Sequence, residues 1–178
     1  MAGSRAQCCT QLSRQSPAMS WPPDGAKIEE CVNKILQGGK GKGKGAADMP
    51  PDVALTMYAA HLLVRAAGGD DGAATFEGPV GTPFMNDEVM GALGHLAERA
   101  EESEATREKL CARGMEKVVD HLVQQNMAND DAVDRCSRLV VAACVHPPNK
   151  ERFGETSLRS SLQPLERELP KAAVAALS

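Results

Sequence analysis

The chain is 178 residues long, carries a net charge of −4 with a pI near 5.6, and is 42% hydrophobic but only 3% aromatic. That length is one domain with enough apolar material for a core, and the scarcity of aromatic and β-branched runs speaks against a sheet and for helix packed on helix. The acidic balance argues against a nucleic-acid binder acting through its overall field, and no apolar run approaches the ~18 residues needed to span a membrane.

Residues 1–23 contain no acidic residue, two arginines and four serines. This composition fits a transit peptide or a disordered tail. Cys8 and Cys9 lie in this segment and are candidates for oxidation or acylation. The other cysteines, at 31, 111, 136 and 144, show neither CxxC nor zinc-like spacing and fall on apolar helix positions. They are expected to be buried free thiols in a reducing compartment. The expected location is the cytoplasm, or a mitochondrion or plastid if residues 1–23 are a transit peptide.

A helical domain is expected over 24–170, with 171–178 a C-terminal cap or tail. It opens with "AKIEECVNKIL", where Ile28, Cys31, Val32 and Ile35 have helical spacing. The next stretch, "GGKGKGKGAADMP", makes 38–50 a glycine–lysine loop bearing Lys40, Lys42 and Lys44. Gly38 with Gly43-Lys44 matches the first half of a phosphate loop. Position 45 is Gly rather than the Ser or Thr that holds magnesium, and a helix precedes the tract where a strand is required. The tract therefore reads as a basic inter-helix linker, able to touch an acidic protein or RNA surface. Pro50-Pro51-Asp52 is a sound start for the next helix, which runs to about residue 66. Gly and Pro then make 67–86 an irregular loop, with Phe76 and Phe84 expected to pin it to the core.

From Asn86 onward a pattern repeats at 43 residues. Asn86-Asp87 falls on Asn129-Asp130, and apolar meets apolar at Leu93/Cys136, Leu96/Leu139, Ala97/Val140 and Leu110/Phe153. Each copy predicts a long helix with an Asn cap, a short helix, and a medium helix; Gly114 precedes the first medium helix and Pro164 shortens the second. The helix at 26–37 matches the medium helix, and "YAAHLLVRA" (58–66) matches "ALGHLAERA" (92–100) with His, Leu, Arg and Ala in place.

A three-helix repeat of forty-odd residues, with Gly-apolar-x-x-apolar-apolar in its second helix and "ALGHLA" in its third, resembles the armadillo family over about 26–170; HEAT repeats imitate the motif. The resemblance implies an all-α fold, a short right-handed α-solenoid of about three partial repeats. It also implies that the third helices line a concave groove. That groove would carry His61, Arg65, His95, Arg99 and Arg138 as a ladder. His95, His61 and Arg138 stand where the family places Asn, so its peptide-backbone binding mode does not carry over. The ladder suits an acidic peptide or a subunit of a large complex; alternatively Glu98, Glu101 and Glu102 neutralise it as a solvated face. No nucleophile elbow, metal cluster or cofactor motif is evident in the sequence. The expected function is a non-enzymatic adaptor or accessory subunit with a protein partner. The alternative is an exchange-type regulator of an Hsp70 or a small GTPase.

Overall fold

The computed structural model describes residues 21–38, 45–69, 76 and 85–178. Lys40, Lys42 and Lys44, the 1–23 segment apart from its last three residues, and Phe84 lie outside them. In chain order the helices are α1 (Gly25–Gly38), α2 (Pro51–Ala66), α3 (Asp87–Glu102), α4 (Glu104–Leu110), α5 (Met115–Gln125), α6 (Asp130–Ala143), α7 (Pro147–Gly154), α8 (Leu158–Leu162) and α9 (Glu168–Ala176). No strand occurs among the described residues.

Local chemistry sets most of these boundaries. Asp24 Oδ1 accepts from Ala26 N–H at 3.1 Å at the start of α1. Proline stands in the first turn of α2 and α7, where its missing N–H costs nothing. The Asn86 side chain accepts from Val89 N–H at 2.9 Å, and Asn129 from Ala132 N–H at 3.2 Å, so α3 and α6 begin with the same cap. Ser103 ends α3 and caps α4 through Thr106 N–H. Three starts in the second set, at 130, 147 and 158, each lie 43 residues beyond 87, 104 and 115 in the first. The copies differ most in the medium helix: α8 stops at Leu162, two residues before Pro164, whose ring would clash with the carbonyl one turn back.

Gly114 is required twice over. Its φ of +78° is a left-handed conformation that few side chains tolerate, and an added Cβ would lie 2.8 Å from the Phe76 carbonyl oxygen. Phe76 is itself buried, so it does pin the 67–86 connection to the core.

Packing is helix on helix: α2 on α3, α3 on α6, and α6 on α9. Leu93, Leu96 and Leu139 of these helices are fully buried in one core with Leu122, Phe153, Leu158 and Leu162 of α5, α7 and α8. Side chains reach from one layer to backbone in the next. Arg135 Nη1 donates to the Met90 carbonyl at 3.1 Å, and buried Asn149 donates to the carbonyls of Arg107 and Ala143 at 2.6 and 3.2 Å. A smaller cluster of Val32, Ala46 and Ala54 lies between α1, the 3-10 turn Ala46–Asp48 and α2. At the other end, α9 begins before residue 170 and buries Ala173, and Leu177 just after it is buried as well.

Leu139 is 0% exposed on the face of α6 turned to the core. Leu139→Ala is expected to cost about 2–5 kcal/mol, read as a lower denaturant midpoint at unchanged slope.

Candidate functional site

The direction of each helix decides which of the ladder residues meet. Asp52 Oδ2 lies 2.6 Å from Arg99 Nη2, Thr56 Oγ1 lies 3.1 Å from His95 Nε2, and Tyr58 donates to Glu88. Positions rise along α2 while their partners fall along α3, so these two helices are antiparallel. Arg135 meets Met90 while Arg138 meets Glu101, so α3 and α6 are parallel.

The ladder therefore forms only in part. A parallel stack would seat His61 beside His95 and Arg65 beside Arg99; Thr56 and Asp52 occupy those places instead. Arg65 is exposed on the last turn of α2, and His61 turns to a cleft described below. Arg138 does lie on the α3–α6 face, as a paired charge, whereas His95 and Arg99 turn to Thr56 and Asp52 of α2. Arg138 makes a two-pronged contact with Glu101 at 2.7 and 2.8 Å, with Glu98 at 3.8 Å. That hydrogen-bonded pairing holds Glu101 below the usual carboxylate range and Arg138 above its own. Arg99 is clasped by Asp52 and by Glu102 at 3.1 Å. The glutamates named in the sequence as neutralisers are the ones in contact.

His95 is the most constrained of the five. The Thr56 hydroxyl donates to the Asp52 carbonyl at 2.8 Å, which leaves the Nε2–H of a neutral imidazole as the donor to Thr56 Oγ1. The Trp21 ring lies 5.6 Å from His95 and 6.4 Å from Tyr58, centroid to centroid. Trp21 thus anchors at home, against α3, and the residue that admits it is Gly91. A Cβ there would come within 2.4 Å of the indole side chain. Beneath it, buried Glu88 joins three helices: it accepts from Tyr58 and pairs with Lys27 Nζ of α1 at 2.7 Å. Burial, then the Glu88 carboxylate, push the Tyr58 phenol up. Nothing in residue spacing signals this cluster, whose members lie 30 and 61 residues from Glu88. The signal for the Trp21 seat was Gly91 itself, a glycine inside a helical pattern.

One cleft stands out, between α2 and α4, with a volume of about 470 Å³. His61 and Arg99 both line it. His121 is half-buried on α5, and His146 precedes Pro147-Pro148 at the cap of α7. Among the described residues no group of three or more His, Cys, Asp or Glu is placed to hold a metal ion, and no helix is long and apolar enough to cross a membrane. Cys111, Cys136 and Cys144 are buried free thiols, as expected, while Cys31 is half-buried. Burial pushes the thiols of Cys111 and Cys136 up to about 12 and that of Cys144 to about 11. Ahead of the glycine–lysine tract stands helix α1, not the strand of a phosphate loop. Comparison with protein-family models, with curated proteins and with solved structures finds no match to this chain.

Two outcomes follow from the seat on α3. Gly91→Ala is expected to unseat Trp21 and cost about 1–3 kcal/mol. As the chain has a single Trp, the change is read as a red shift of tryptophan emission with helix content retained. Burial, with smaller opposing effects from Asp52 and other neighbours, lowers the His95 pKa from the ordinary 6.5. The unfolded chain then takes up its proton first, so stability is full above the unfolded value of 6.5 and declines as pH falls below it. His95→Gln should flatten that decline in denaturant titrations across the mildly acidic range.

Proposed function

We propose that this chain is a non-catalytic protein-interaction module, a short armadillo-like α-solenoid that serves as a scaffold or accessory subunit of a larger assembly. The observation that carries the reading is the matched start of three helices in each copy, 43 residues apart, with α3 and α6 parallel and identically capped. Stacked units of this kind bury their apolar faces against one another and leave an extended outer surface for partners.

The contact surface in this reading is the α3–α6 face centred on Arg138. Its side chain is 39% exposed, and its partners Glu98 and Glu101 are more so. Exposed ion pairs contribute little to stability, typically about 0–1 kcal/mol. An acidic segment of a partner can therefore share or take over the guanidinium at little cost to the fold. His61 and Arg65, on the reversed helix α2, have no part in this surface.

The test is isolation of the full chain with its bound protein at low salt, with crosslinks mapped onto α3 and α6. Arg138→Glu is expected to lose the partner while the thermal midpoint barely moves. Retention of the partner by Arg138→Glu, or a chain that stays alone at physiological salt, sinks the reading. A captured ATPase or GTPase whose nucleotide release is accelerated moves it to the exchange-regulator alternative.

A further inference from the structure

The cleft between α2 and α4 is independent of the face just described. One wall is the stripe Met57, Ala60 and Val64 on α2, and the other is Ala105 and Ala112, from α4 and the 3-10 turn after it. The base is apolar and buried: Leu96, Leu110 and Met115. Two fixtures hold the walls apart. At one end the Asp52–Arg99 bridge joins α2 to α3 at 2.6 Å. At the other, Phe76 is wedged between Gly69, just after α2, and Gly114, just before α5; a Cβ at either glycine would strike it within 2.9 Å.

The charges at the rim are unequal. Asp52 is already matched by Arg99. Lys109 is exposed, lines the cleft, and forms no ion pair among the described residues. An apolar slot of about 470 Å³ lies in the size range of small-molecule sites. A cation at its edge with no unmatched acid among the described lining residues selects the sign of the ligand. A neutral hydrocarbon would leave Lys109 as it is, and a cation would be repelled; an anion with an apolar body satisfies both parts of the lining.

We propose that the α2–α4 cleft binds a small amphiphilic carboxylate, its aliphatic or aryl body on Leu96, Leu110 and Met115 and its carboxylate paired with Lys109. Binding is non-covalent. It stands whether or not the α3–α6 face recruits a partner, because Lys109, Ala105 and Ala112 are remote in sequence from Arg138 and make none of its contacts.

The experiment titrates the full chain with decanoate and with decanol, directly by calorimetry and by displacement of anilinonaphthalene sulfonate. Decanoate is expected to bind with one site per chain and at least about tenfold more tightly than the uncharged alcohol, the ratio a single charge-assisted contact supplies. Lys109→Glu should erase that preference. Ala105→Trp, at an exposed position on the wall, should block both ligands, with Ala112→Phe as a second filler; circular dichroism verifies that each variant folds. Equal affinity for acid and alcohol, binding untouched by the filling variants, or no binding by either ligand overturns the proposal.

Discussion

The pairing of α3 with α6 is the contact on which the other layers rest. Each is a helix of about four turns with one apolar stripe, and in proteins most helical stability comes from packing such a stripe rather than from the helix alone. Laid parallel, they bury Leu93, Leu96, Ala97, Cys136, Leu139 and Val140 together. Because both helices start from the same asparagine cap, the segments that follow them also leave at equivalent points. The short helices α4 and α7 and the medium helices α5 and α8 are then carried into matching positions, tied by Asn149 and by the Ser157 hydroxyl, which donates to Asp120 at 2.8 Å.

Against this parallel stack α2 runs the other way, and the reversal creates the two features of most functional interest. It brings Asp52 and Thr56, rather than His61 and Arg65, to the charged half of α3. That exchanges a row of cations for a clasped, half-buried set in which His95 stays neutral. It also turns the neighbouring stripe of α2, Met57, Ala60 and Val64, into a cleft wall facing α4. The buried Glu88, joined to Lys27 and Tyr58, fixes the reversed helix to α1 and α3 at once. A buried carboxylate stripped of both partners would carry a desolvation penalty, so the three helices are held in one relative arrangement.

Much of the fold was legible in the residues because it is set locally. Asn86, Asn129, Pro51, Gly114 and Pro164 act within one turn of where they stand, and the 43-residue recurrence compares like with like along the chain. The direction of α2 was not legible. The match of 58–66 to 92–100 records which positions are apolar, basic or small, and a helix face shows a similar stripe read from either end. Direction is decided by pairs such as Asp52–Arg99 that no local pattern encodes. For the same reason the expected row does not line up across the helices: His95 and Arg99 meet Thr56 and Asp52 of α2, Arg138 meets Glu98 and Glu101 of α3, and His61 turns to the cleft. The charge balance of that row could be read, since Glu98, Glu101 and Glu102 sit within reach on the same helix. The cleft could not, because its walls belong to elements some fifty residues apart.

The burial of the three interior thiols has a chemical consequence. At a pKa of about 12, only about one molecule in 10⁵ carries a given thiolate at neutral pH, and thiolate is the form that oxidants and alkylating agents attack. Packing therefore slows oxidation and alkylation of Cys111, Cys136 and Cys144 once the chain has folded. Those three sulfurs are shielded by the fold itself, a protection that the half-buried Cys31 does not fully share.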